Sequence, residues 1–162
     1  MPIKLLITGG TLDKDYNALT GELEFSKSRI SDMLEQSRSK AVVNIGELML
    51  IDSLDMTNEH RQKILKACQE AEEDEIVVTH GTDTMVETAK VLGQNVTGKT
   101  VVLFGAMRPY ALGESDALFN LGSAITAAQT LDEGVYIAMN GHVFTWDNVV
   151  KNRELGEFQT KA

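Results

Sequence analysis

Apolar residues along this chain fall into two kinds of pattern. Short, nearly unbroken apolar runs occupy residues 3–8, 41–50, 75–79, 100–104 and 134–139. Such runs, bounded by glycine and polar clusters, predict strands buried on both faces. Between them lie segments whose apolar residues recur at helical spacing: 26–36, 57–71, 83–92 and 116–131. Ser28 or Ser31 is a candidate cap for the first of these helices. Thr57, with Glu59 close behind it, is a candidate cap for the second, which gathers Ile64, Leu65 and Cys68 on one side. Residues 142–146 continue as an extended arm. Strands alternating with helices predict one α/β domain over residues 1–162, an open and mostly parallel sheet with helices on both faces. Two stretches, 12–25 and 108–115, read as irregular. Both follow strand ends, which places them on the edge of the sheet where ligands sit.

Composition narrows the choice. The 162 residues, 43% of them hydrophobic, suffice for one well-filled core. No apolar run approaches the ~20 residues of a membrane-spanning helix. A net charge of −9 argues against nucleic acid, which needs a basic face. The acidic run 70–75 contributes to that charge and reads as a solvated helix end. Cys68 is the only cysteine, so no intrachain disulfide forms. It reads as a buried or half-buried thiol in a reducing compartment, with nothing nearby to activate it. Met1-Pro2-Ile3-Lys4 leads directly into a strand without a signal-peptide pattern, so a cytoplasmic location is expected. His, Cys, Asp and Glu show no metal-ligand spacing, and neither a metal nor a cofactor is expected.

Candidate chemistry concentrates in two strand ends. Lys4-Leu5-Leu6-Ile7 runs into Thr8-Gly9-Gly10-Thr11, and Ile76-Val77-Val78-Thr79 runs into His80-Gly81-Thr82-Asp83-Thr84. Gly9-Gly10 permits a tight turn and close approach of a ligand, leaving the Thr11 hydroxyl at the mouth. A threonine hydroxyl needs a proton acceptor to become a nucleophile. Tyr16, in the following loop, is one candidate acceptor. A plain strand-to-loop turn accounts for the same residues. A dinucleotide fingerprint is disfavoured, since its glycine spacing is absent. In the second segment a hydroxyl and a carboxylate open a helix, whose exposed amides can hold an anion. Thr82 or Asp83 also suits the N-cap, and capping does not exclude catalysis. His80 is a possible general base, although a satisfied core histidine is the simpler reading after a buried strand. Lys151 follows the last strand region; by pattern alone it is an exposed lysine, but a lysine beside a Thr/Asp pair helps to activate a hydroxyl.

These segments resemble the two signature motifs of the bacterial-type L-asparaginase family. Gly105-Ala106-Met107-Arg108-Pro109, Ser115-Asp116 with Asn120-Leu121, and Asn148-Val149-Val150-Lys151 resemble further family segments, in order, from residue 3 to about residue 158. The resemblance implies an asparaginase-type N-terminal domain that hydrolyses L-asparagine to L-aspartate and ammonia, with weak L-glutaminase activity as an accompaniment. Thr11 matches the nucleophilic threonine, expected to form an acyl-enzyme, and Tyr16 is a looser match to the loop tyrosine. Thr82, Asp83 and Lys151 match the set that activates a hydroxyl or water. Ser53 matches the serine that contacts the substrate α-carboxylate, and Asp83 also matches the group that binds the α-amino nitrogen. Gly10, Asp52, Gly81 and Thr82 line the same substrate site.

Two departures stand out. Leu54 occupies a position where the family usually has Gln, which removes a substrate hydrogen bond. Family members also usually carry a smaller C-terminal domain that supplies an acidic residue to a neighbouring subunit's site, whereas this sequence runs to Ala162. A short form that completes its site differently is expected, as a homodimer or higher homo-oligomer. A non-catalytic relative that binds an amino acid or supports a partner chain is the alternative. A nucleotide-binding α/β domain is a third and weaker reading.

Overall fold

A computed structural model describes all residues, 1–162. Its centre is a six-stranded sheet. In chain order the strands are β1 (Ile3–Gly9), β4 (Val43–Ile51), β5 (Glu75–Thr79), β6 (Thr100–Phe104), β7 (Gly134–Met139) and β8 (His142–Thr145). They lie side by side as β4-β1-β5-β6-β7-β8, all parallel except β8, which turns back antiparallel on β7. Successive side chains of a strand alternate between faces, and two apolar cores result. Leu6, Ile76, Val78, Val101, Leu103 and Ile137 face helices α2 (Asn58–Glu70) and α3 (Met85–Asn95). Leu5, Ile7, Val77, Val102 and Phe104 face α1 (Ile30–Gln36) and α4 (Ala117–Thr130). The expected α/β sheet covered on both faces is therefore present. No helix is long and apolar enough to cross a membrane.

Strand order locates the crevice. From β1 the chain passes to β4 on one side, then crosses to β5 on the other. Such a reversal opens a cleft at the carboxyl ends of the adjacent strands β1 and β5. The two glycine-threonine segments leave those two strands. Thr8 and Thr79, both fully buried, tie the ends together: Thr8 N–H donates to Thr79 Oγ1 at 3.0 Å, and the Thr8 hydroxyl donates to the Thr79 carbonyl at 2.5 Å.

Several boundaries differ from the sequence expectation. Residues 12–25 are not irregular: after a 3-10 turn at Thr11–Asp13 they form a hairpin of β2 (Lys14–Asn17) and β3 (Glu22–Phe25). Helix α1 starts four residues later than expected, at Ile30, and its N-cap is Arg29 with no side-chain cap; Ser28 only receives the Ile30 N–H at 3.2 Å. Thr57 does cap α2, but the reciprocating side chain is His60, not Glu59. The acidic run is not wholly solvated, since Glu73 accepts a 2.7 Å bond from Asn44. Cys68 is buried in α2, and burial pushes its thiol up to about 12. Beyond β8 a second small hairpin, β9 (Val150–Asn152) with β10 (Glu157–Gln159), carries Lys151.

Candidate active site

Backbone contact brings the two glycine-threonine segments together. Gly10 has φ +91° and ψ 173°, a conformation that essentially only glycine adopts. A Cβ there would lie 2.5 Å from the Gly81 nitrogen. The Gly10 main chain thus rests directly on the His80–Gly81 peptide, one residue before Thr11 in the first loop and one before Thr82 in the second. Gly81 in turn lies against Ser53, where an added Cβ would come within 2.7 Å of both Cβ and Oγ. Three loops, after β1, β4 and β5, meet at these contacts. The Thr11 hydroxyl makes no hydrogen bond within the chain and is partly exposed.

Thr82 and Asp83 are not helix caps. Thr84 is the N-cap of α3, with no side-chain cap bond of its own. Thr82 and Asp83 instead receive the Lys151 ammonium: Nζ donates to Thr82 Oγ1 and to Asp83 Oδ1, at 2.8 Å each. The Lys151 side chain is only 12% exposed, so the pattern-based reading of a solvated lysine is overturned. The β9–β10 hairpin delivers it across a separation of 69 residues. Arg153 strengthens the delivery by donating to the Asp83 carbonyl at 3.0 Å. Sequence reasoning missed Arg153; its spacing of two from Lys151, which puts both on one side of an extended segment, was the available signal.

Ser53 is buried and its Oγ accepts the Thr84 N–H at 3.2 Å, while the Thr84 hydroxyl donates to the Ser53 carbonyl at 2.8 Å. This fixes Ser53 beside Gly81 at the floor of the site. Asp52 is engaged elsewhere. Its carboxylate takes Lys14 Nζ at 2.5 Å and the Leu54 N–H at 3.0 Å, and the Lys14 ammonium holds it below the usual carboxylate range. Leu54 is largely exposed. Tyr16 lies on the hairpin, 57% exposed, with no hydrogen bond from its hydroxyl. The structure therefore gathers Gly10, Thr11, Ser53, Gly81, Thr82, Asp83 and Lys151 on three touching loops, and joins neither the Tyr16 hydroxyl nor the Asp52 carboxylate to them by a hydrogen bond.

The hairpin that follows Thr11 is anchored at its root. Asp13, fully buried, accepts the Arg29 N–H at 2.7 Å and the Ser28 hydroxyl at 2.9 Å; burial nonetheless raises its carboxyl above the usual value. Asp15 receives Arg29 Nη2 on both oxygens at 3.0 Å.

His80 is a core histidine, fully buried, with both ring nitrogens bonded: Nδ1 to the Gly81 carbonyl and Nε2 to Thr88 Oγ1, each at 2.7 Å. Burial, aided by the nearby Arg61 charge, lowers its pKa from 6.5 to about 4. The unfolded chain therefore binds a proton near pH 6.5 that the folded chain refuses until about pH 4. Stability is unaffected above that window and falls as pH drops through it. We expect His80 alone to remove about 3 kcal/mol between neutral pH and about pH 4. Urea unfolding across this range checks it: the slope should flatten in His80→Asn, whose side-chain amide can still reach the Gly81 carbonyl.

Comparison with known proteins gives a consistent picture. The family model described as "Asparaginase, N-terminal" matches residues 2–158. A probable periplasmic L-asparaginase of Haemophilus influenzae is 34% identical over 159 residues, covering 92% of this chain and 46% of the relative. Among solved structures, the thermostable L-asparaginase of Thermococcus kodakarensis superposes with a TM-score of 0.85 at 31% identity, over 99% of this chain and 51% of that one. A probable cytoplasmic L-asparaginase of Campylobacter jejuni gives 0.85 at 30% identity, over 98% and 51%. The chain spans about half the length of the curated relatives it matches.

Proposed function

The chain belongs to the asparaginase family, and from that premise we propose that it hydrolyses the side-chain amide of L-asparagine to L-aspartate and ammonia. The observation that carries this reading is the single lysine ammonium, Lys151 Nζ, held 2.8 Å from both a threonine hydroxyl and a carboxylate, on the loop against which the Gly10 turn before Thr11 rests. A relay of this kind serves to move a proton at a hydroxyl or a water.

In this reading Asp83 and Ser53 grip the substrate α-amino and α-carboxylate groups. Thr11 Oγ1 attacks the amide carbon, and its proton passes through the Tyr16 hydroxyl on the adjoining hairpin to the amide nitrogen. The C–N bond breaks, ammonia leaves with a proton, and an ester to Thr11 remains. Thr82, Asp83 and Lys151 activate the water that cleaves this ester and frees Thr11. Direct attack by that water on the amide uses the same groups. Free main-chain N–H groups support charge stabilisation on the carbonyl oxygen: neither Thr82 nor Asp83 donates its amide to any acceptor in the chain. A homodimer or higher homo-oligomer and a cytoplasmic setting belong to the same reading. The exposed Phe119 and Val143 support the first of these.

Ammonia release from L-asparagine, L-glutamine and D-asparagine tests the proposal. L-Asparagine should be turned over, with L-glutamine weaker. Thr11→Ala and Thr82→Ala should each lower turnover by roughly 10²–10⁴-fold while the fold persists. No ammonia from well-folded native chain at millimolar L-asparagine would overturn the enzyme and leave a binding relative.

A further inference from the structure

Behind the candidate site, on the side away from solvent, three polar side chains form a line that ends on the site's own main chain. Arg61 lies on the buried face of α2, between apolar neighbours Ile64, Leu65 and Cys68. Its Nε donates to Thr88 Oγ1 of α3 at 3.1 Å, and its Nη1 donates to the Met56 carbonyl at 3.3 Å. Thr88 Oγ1 lies 2.7 Å from His80 Nε2, and His80 Nδ1 lies 2.7 Å from the Gly81 carbonyl. Thr88 and His80 have no exposure and Arg61 retains 8%. The cation has no carboxylate partner, which is unusual at such burial.

Each link can run in one direction only. The Gly81 carbonyl has no proton to give, so Nδ1 must carry the hydrogen. The Arg61 guanidinium cannot accept, so it donates to the Thr88 oxygen. The Thr88 hydroxyl proton is then free to point at Nε2, which is bare in that tautomer. An imidazolium would reverse the middle link and put a second buried cation beside Arg61. Burial and the Arg61 charge both oppose it.

We propose that Arg61, Thr88 and His80 are positioning residues that aim the Thr82 amide N–H at the carbonyl oxygen of the bound substrate. The link is the Gly81–Thr82 peptide. A trans peptide is planar, with its N–H antiparallel to its C=O, and the chain has no cis peptide. Holding the Gly81 carbonyl against the buried imidazole therefore points the Thr82 N–H the opposite way, out of the protein core, where it meets no acceptor in the chain. Lys151 fixes the side chain of the same residue. Thr82 is thus oriented twice, its hydroxyl from the solvent side and its amide from the core. The inference rests on the amidohydrolase reading for its consequence, though its geometry stands independently.

The test uses the full chain and two variants, Thr88→Val, which deletes the hydroxyl at nearly constant volume, and Thr88→Ser, which keeps it. Kinetics on L-asparagine are paired with the ¹⁵N resonances of His80. We expect Thr88→Val to lower kcat by at least about tenfold, a fraction of the loss of an oxyanion donor, with KM held within about twofold. Thr88→Ser should recover most of kcat. The native ring should be protonated at Nδ1 and bare at Nε2, and Thr88→Val should move the Nε2 resonance to that of an imine nitrogen without a hydrogen-bond donor, with Thr88→Ser returning it close to native. An unchanged kcat in Thr88→Val, or a loss that Ser does not rescue, overturns the proposal. So does a native ring protonated at Nε2. If the native chain releases no ammonia, the functional reading fails by itself. The ring resonances then decide the relay: an Nε2 shift in Thr88→Val that Thr88→Ser reverses supports it, and an Nε2–H native ring sinks it.

Discussion

Lys151→Met is expected to lower L-asparagine turnover by roughly 10³-fold, within the range for removal of a group that moves protons in the rate-limiting step. Methionine keeps the length and much of the packing of the lysine stem and removes only the ammonium. The two 2.8 Å bonds to Thr82 and Asp83 vanish together, so hydroxyl and carboxylate are no longer held in one geometry. The cost to folding should be small, about 1 kcal/mol or less, because the freed Asp83 side chain is 35% exposed and water can take over its oxygens. The informative measurement is therefore kcat and KM together with a thermal midpoint on the same preparation. A midpoint near native with kcat down a thousandfold places Lys151 in the chemistry. A native kcat would remove the Thr82, Asp83 and Lys151 set from the mechanism altogether.

Gly10→Ala should be still more disruptive, and for a steric reason. At φ +91° and ψ 173° any side chain is strained. The new methyl would also sit 2.5 Å from the Gly81 nitrogen and 2.7 Å from the His80 carbonyl carbon, both main-chain atoms that have no rotamer to escape into. Either the first loop lifts from the second, separating Thr11 from Thr82, or the chain fails to fold to the native state. We expect a stability loss of about 3 kcal/mol or more and no measurable turnover. Gly21→Ala supplies the contrast. It also has a positive φ, +74°, but nothing lies within 4 Å of its Cβ position, so it should cost only about 1 kcal/mol and leave the site intact. Urea midpoints of the two variants separate backbone strain from collision. Equal midpoints would mean that the contact between the loops contributes nothing.

The parts of this molecule that were legible in its sequence are those dictated by local pattern. β5, β6 and β7 are short unbroken apolar runs, and the structure places them at residues 75–79, 100–104 and 134–139 as expected. Thr57 follows the same logic, since a cap is decided within one turn of helix. The hairpin at residues 14–25 was not legible. Its strands Lys14-Asp15-Tyr16-Asn17 and Glu22-Leu23-Glu24-Phe25 carry too few apolar residues to alternate clearly. What holds the hairpin in place is Arg29 on Asp15 and Lys14 on Asp52, contacts 14 and 38 residues away in sequence. The start of α3 was misread for a related reason. Thr82 and Asp83 have the composition of caps, but Lys151 claims both side chains from the far end of the chain, and the helix begins after Thr84. Lys151 itself looked like a solvated lysine because nothing within its own strand reports the burial that tertiary packing imposes. His80 could be read from the apolar strand before it, whereas its line to Arg61 could not: an arginine on a helix face predicts exposure, and only the packing of α2 against α3 removes it from water.

The hairpin of β9 and β10 forms no ladder with the central sheet. It is joined to the rest of the site by a few polar contacts, from Lys151 and Arg153 to Thr82 and Asp83, and by the buried Val149 and Phe158 at its ends. An excursion that detaches this hairpin breaks no strand of the main sheet, so it should demand far less free energy than global unfolding. In the proposed reaction, competence for chemistry and integrity of the fold are therefore distinct properties. A population with every sheet amide protected from exchange would then still contain molecules that are momentarily inert, and whatever clamps the hairpin down is expected to raise the active fraction without adding a single contact to substrate.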